Sequence, residues 1–308
     1  MSSSPSDQLA SAPTIDRVLF GDNQFFGVNH MSEEKARAQA MRFGDLSAIV
    51  EVIDAAYEEG LRTLMCTTHD RIGELCEHIR AQPSRYEGFR FYPGMPYAHK
   101  YANAATEDGV VGAIRRFLPS DGLFDAAMRG GRSLATKDID GVTTLLIDAE
   151  MKMFEGLPTP VVFLQNVVVD LLLGLGFTSA FRTFSDHVRA RYGAEPGFIT
   201  MNLPALLVEL EKAGIENPIV CANVNKIGFR MCGGAGEYDR VLRSHECRAI
   251  AMSVYASGAI PAAEAIEWVC GMPNVESILF GASSRSNIRS TMELVGRYWD
   301  VNGATSAA

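Results

Sequence analysis

A chain of 308 residues with 47% hydrophobic and 21% charged residues can bury a large core, and barrels or large α/β sheets fill this length as one unit. A formal net charge of −9 and a pI near 5.2 exclude the basic footprint that non-specific nucleic-acid or anionic-membrane binding needs. Six scattered cysteines (Cys66, Cys76, Cys221, Cys232, Cys247, Cys270) form no C-x-x-C pair, which points to a reducing cytoplasm.

Residues 1–14 are polar and Ser/Pro-rich, without the basic start and apolar run of a signal peptide, and read as a disordered lead-in. Short β-branched or aliphatic runs then recur: RVLF (17–20), RTLMC (62–66), FRFYP (89–93) and PVVFLQ (160–165). GFIT (197–200), PIVCA (218–222), AIAMSV (249–254) and ESILF (276–280) complete eight. Most lead into a helical pattern. The clearest helix precedes the second run: Asp45 stands at its N-cap, Leu46, Ile49, Val50, Ile53 and Tyr57 form an i, i+3, i+4 stripe, and Gly60 ends it. Buried strands alternating with helices imply parallel pairing, and eight units close a (β/α)8 TIM barrel over residues 15–300, followed by a tail at 301–308. An open doubly wound sheet is the alternative, disfavoured because no G-x-G-x-x-G opens the first strand-to-helix turn.

The unit after strand three is oversized, and two helical stretches, 108–118 and 140–157, form an insertion that either covers the mouth or packs on the flank. The most apolar stretch, 160–176, is too short and too interrupted by Gln165, Asn166 and Asp170 to span a bilayer.

In a (β/α)8 barrel the residues just past each strand converge on one mouth. Strand one leads to Asp22 and Gln24, with His30 beyond; strand two to Thr68, His69 and Asp70; strand three to Tyr97, His99 and Lys100. The later strands lead to Asn166, Asn202, Asn225 with Lys226, Tyr255, and the Ser283, Ser284, Arg285, Asn287 segment. His69 and His99 are the candidate proton-transfer pair, with Asp70 orienting or charge-balancing a histidine. Lys100 would stabilise an oxyanion or form a Schiff base. Asp22, Gln24, Asn166, Asn202, Asn225, Lys226 and Tyr255 are the candidate substrate ligands, because an unfilled polar group rejects the wrong substrate. Each histidine taken alone also fits a local loop hydrogen bond, and His78, His187 and His245 read as structural.

A divalent ion on His69, Asp70 and His99 is chemically competent, but no H-x-H or H-E-x-x-H spacing supports it. FGASSRSNIRS (280–290) offers a phosphate or carboxylate site at a helix N-terminus with Arg285, against the alternative of a plain cap and a solvated arginine. MCGGAGEYDR (231–240) lacks the Lys-Ser/Thr of a P-loop and reads as a flexible loop.

With these segments in view, the C-terminal half resembles the aldo-keto reductase-like, NAD(P)-linked barrel superfamily. GFITMN, ending in Asn202, is similar to the segment that holds a nicotinamide carboxamide, with Met201 where the family has serine. AIAMSVYASGAI resembles the segment under the cofactor pyrophosphate, and ILFGASSRSNI the one that holds the adenosine phosphate through Ser283, Ser284, Arg285 and Asn287. The family's Asp, Tyr, Lys and His tetrad is not matched: strand two runs Cys66-Thr67-Thr68-His69-Asp70-Arg71, Lys100 stands late, and strand four ends in Gln165-Asn166. These departures put lyase- or isomerase-type acid–base chemistry on a polar, anionic metabolite first. An NAD(P)H-dependent oxidoreductase with a rebuilt catalytic set is the alternative, and a non-catalytic ligand-binding barrel the third. An NADP cofactor is compatible with the chain, a divalent metal less so, and the expected partners are a small molecule and other copies of the chain, not nucleic acid or membrane.

Overall fold

The computed structural model describes residues 14–27, 32–97 and 139–305. Eight parallel strands close into a barrel in sequence order. They are β1 (Val18–Gly21), β2 (Thr63–Thr67), β3 (Arg90–Met95), β4 (Val161–Leu164), β5 (Glu195–Thr200), β6 (Ile219–Asn223), β7 (Arg248–Met252) and β8 (Val275–Phe280). Each end lies within two residues of the run that announced it. Closure is made by β1, where Phe20 pairs with Leu64 on one side and Phe280 on the other, so the open doubly wound alternative is excluded.

Two apolar layers follow from the alternation of side chains along each strand. Leu19, Met65, Tyr92, Val161, Phe163, Ile219, Cys221 and Ile250 fill the barrel interior as one cluster. Leu64, Val162 and Ile278 belong to the larger cluster between sheet and helices, and all three are fully buried. Packing inside the barrel is tight at one register pair: Phe163 on β4 faces Gly197 on β5, and a Cβ at 197 would lie 2.4 Å from the Phe163 ring. Glycine is required there for size, not for backbone freedom.

Among the described residues the α-helices are α1 (Glu33–Arg42), α2 (Leu46–Glu58), α3 (Asp70–Arg80), α4 (Ile139–Met151), α5 (Asn166–Leu175), α6 (Thr178–Tyr192), α7 (Leu203–Lys212), α8 (Gly234–Ser244), α9 (Ala262–Cys270) and α10 (Arg285–Thr305). The α2 stripe buries Ile49, Val52, Ile53, Ala55 and Ala56, and Gly60 closes the helix at φ +96°. Asp45 takes the N-cap place with extended backbone, but its side chain makes no capping hydrogen bond. The glycine-rich stretch at 231–240 is not a flexible loop. Gly233 and Gly234 turn the chain at φ +89° and +80°, and α8 then starts, anchored by buried Tyr238, Val241 and Leu242. The last helix continues to Thr305, past the boundary expected at 300.

Of the insertion, 140–157 is helix α4 and a short 3-10 turn at Lys152–Phe154; the stretch 108–118 lies outside the described residues. All six cysteines are unpaired. No helix among the described residues is long and apolar enough to cross a membrane.

Candidate active site

The first three strands deliver an acid, an imidazole and a phenol to one place. Asp22 follows β1 and is 5% exposed; its Oδ2 accepts the Thr67 N–H at 2.7 Å and the Thr67 hydroxyl at 2.8 Å. Burial pushes its carboxyl up to about 6, with the two Thr67 bonds pulling the other way. A carboxyl poised there can both give and take a proton near neutral pH.

His69 caps α3 from the end of β2, with extended backbone and Nδ1 accepting the Arg71 N–H at 3.2 Å. That bond assigns the proton of the neutral ring to Nε2. The imidazole stacks on Phe26, centroid to centroid 4.2 Å, and its centroid lies 6.1 Å from that of Tyr97. Burial first, and the Asp22 charge second, push the Tyr97 phenol above its ordinary value. Tyr97 therefore stays protonated at neutral pH and is available as a proton donor.

Carboxylates brace the strand ends around this group. Glu150, 3% exposed on α4, accepts the Thr68 hydroxyl at 2.5 Å and the Tyr97 N–H at 3.1 Å. On the far side Asp170 of α5 accepts the Thr200 hydroxyl at 2.5 Å and the Met201 N–H at 3.1 Å, and burial raises its pKa. Glu150 was missed from sequence, although a signal exists: Ile147, Glu150, Met151 and Phe154 form one buried i, i+3, i+4, i+7 stripe. An acid on a buried stripe implies a partner.

The other expected residues divide. Gln24, also 5% exposed, donates through Nε2 to the Gly21 carbonyl at 2.7 Å, and its buried Oε1 has no partner among the described residues. That oxygen occupies the space of a Cβ at Gly281, 2.1 Å away, which is why residue 281 has no side chain. Asn166 opens α5 at the end of β4, half-buried. Asn202 caps α7, its Oδ1 accepting the Ala205 N–H at 3.3 Å. Tyr255 bonds Thr291 at 3.0 Å. Ser284 caps α10 by accepting the Asn287 N–H, with Ser283 half-buried beside it and Asn287 exposed.

Three expectations meet other partners in the fold. Asn225 spends both ends of its carboxamide on Phe229, closing its own turn, and Lys226 pairs with Glu264 at 2.8 Å on the surface. Arg285 is held by Glu58, with Glu59 at 3.7 Å, because α10 packs on α2. Asp70 is exposed in the first turn of α3, where its charge suits the helix N-terminus. His30, His99 and Lys100 lie outside the described residues. Among the described residues no group of three or more His, Cys, Asp or Glu side chains could hold a metal ion.

No protein-family model matches the chain, and no curated protein does. Solved structures do. A Pseudomonas aeruginosa protein assigned as an aldo-keto reductase superposes with a TM-score of 0.56 at 12% identity, over 92% of this chain and 90% of its own. A thermostable aldo-keto reductase solved with the inhibitor epalrestat gives 0.54 at 13% identity, over 96% and 97%. A third protein, solved as a mutant in complex with NADPH, gives 0.51 at 8% identity, over 91% and 83%. The likeness is one of fold.

Proposed function

On the premise of a divergent aldo-keto reductase-like barrel, we propose that this protein is an NAD(P)H-dependent oxidoreductase acting on a polar aldehyde or ketone, with an acid–base set rebuilt from Asp22, His69 and Tyr97. The observation that carries the reading is the convergence of these three side chains past β1, β2 and β3. Naming the neighbours as reductases supports the oxidoreductase alternative over lyase or isomerase chemistry. The unpaired cysteines support a cytoplasmic setting.

The donor set at the rim fits a phosphate-bearing nucleotide. Ser283, Ser284, Asn287 and the N-terminus of α10 offer hydroxyl, amide and backbone donors to phosphate oxygens, and the buried, unpartnered Gln24 Oε1 beside Gly281 suits an N–H donor. Asn202 would hold the carboxamide with the end its cap bond leaves over. When bound, the nicotinamide would supply the hydride for carbonyl reduction. Tyr97 would donate a proton to the carbonyl oxygen, and Asp22 and His69 would keep it supplied.

Fluorescence titration with NADPH and NADH, followed by turnover of a panel of polar aldehydes and ketones, tests this. Saturable binding and turnover that Tyr97→Phe abolishes are the expected results. Absence of binding for both nucleotides sinks the proposal.

A further inference from the structure

Glu150 reaches the site from the far end of the oversized third βα unit, 53 positions beyond Tyr97. Helix α4 turns it inward beneath the mouth, where its carboxylate joins two chain stretches that run on from the paired strands β2 and β3. One is Thr68, fully buried and immediately before His69; the other is the backbone of Tyr97, immediately after β3. Both Glu150 oxygens lie 3.1 Å from the Tyr97 nitrogen, and Oε2 also takes the Thr68 hydroxyl. A buried carboxylate needs donors of this kind to remain charged. Here one donor is the residue before His69 and the other is the backbone of Tyr97 itself.

We propose that Glu150 is the positioning residue of this site, setting the separation of the His69 imidazole and the Tyr97 phenol by holding Thr68 and the Tyr97 backbone on one carboxylate. The inference rests on the assignment of His69 and Tyr97 above. It gives α4 a part in the chemistry without contact with the substrate: Glu150 moves no proton in the reaction, and its loss acts through the geometry of the other two. Displacement of reacting groups by about 1 Å lowers turnover by about a hundredfold, so a small relaxation of either stretch is enough.

Two variants separate positioning from folding. Glu150→Gln keeps shape and an acceptor for the Tyr97 N–H, but presents an NH2 to the Thr68 hydroxyl, which must then turn round. Thr68→Val removes that hydroxyl alone and leaves the carboxylate its other donor. With folded protein verified by circular dichroism, each is expected to lower kcat about ten- to a hundredfold while KM and the nucleotide Kd stay within about twofold. Glu150→Asp should not rescue, because its shorter side chain cannot reach both donors. A readout independent of turnover is the His69 ring resonance, identified as the signal missing from His69→Asn. Its shift and titration midpoint should move in both Glu150→Gln and Thr68→Val. Should the wild-type protein bind no nucleotide, the functional reading fails while the resonance still tests the positioning. An unmoved resonance in both variants, or wild-type kcat in a folded variant, overturns the proposal.

Discussion

Phe26 and His69 lie face to face, with ring centroids 4.2 Å apart and planes 25° from parallel. Phe26 comes from the 3-10 turn after β1 and His69 from the cap of α3, so neighbouring strand-to-helix connections clamp one imidazole. Its plane is set by packing on one side and by the Arg71 N–H on the other.

The two jobs of His69 are separable. Asn at a cap accepts the same backbone N–H, so His69→Asn should keep the melting temperature close to wild type and abolish turnover. His69→Ala should lose the cap as well, at about 1 kcal/mol of stability. Equal activity in His69→Asn and wild type would make the residue a cap and nothing more. Phe26→Ala, which leaves every polar group in place, should lower kcat by freeing the ring.

Asp22 predicts a pH dependence with a definite sign. Its folded-state pKa, about 6, lies above the ordinary 3.8, so the folded protein holds the proton more tightly than the unfolded chain. Stability from this group is fully present below about pH 4 and is lost as pH rises to about 6, a change of order 3 kcal/mol for a shift of this size. Asp22→Asn should therefore gain on wild type as pH climbs through that window and hold a constant lead above it, while losing turnover. Denaturant melts at pH 4, 5, 6 and 7.5 check this; a pH-independent difference between the two proteins rules it out.

Gly197 and Gly73 should respond to alanine with opposite signs. At 197 the new Cβ meets the Phe163 ring at 2.4 Å inside a full barrel, and overpacking of this kind costs about 1–3 kcal/mol. At Gly73, within α3, a Cβ meets nothing within 4 Å, and alanine should stabilise the helix by roughly 0.5–1 kcal/mol. Thermal melts of the two single variants read the difference directly.

Arg285 is engaged by Glu58, the last residue of α2, and by Glu59, which caps it. Arg285→Ala should leave the melting temperature nearly unchanged, because exposed pairs contribute little. Nucleotide affinity should fall less than about threefold, or under about 0.7 kcal/mol. Ser284→Ala, which removes the cap of α10, should weaken binding more. A tenfold loss in Arg285→Ala would mean that the guanidinium leaves Glu58 for the ligand.

What the chain declares locally is the barrel. Runs such as PVVFLQ and PIVCA are apolar because both faces of a parallel strand are covered, and the abrupt change after Cys66 marks where β2 leaves the packed layer. That logic located the mouth, and with it Asp22, His69 and Tyr97, because periodicity and breaks in it are properties of neighbouring residues. Which polar groups meet there is a different matter. Asp22 finds Thr67 across 45 positions, Glu150 finds Thr68 across 82, and Arg285 finds Glu58 across 227. No local pattern encodes those pairings, since they depend on strand register, on the packing of α10 against α2 and on the direction in which α4 turns its buried stripe. Arg285 and Asn225 read as ligands because their residue types suit the task; only the tertiary structure brings Glu58 to Arg285, whereas Phe229, four positions on, meets Asn225 within its own turn, because a nearby partner satisfies a polar group first.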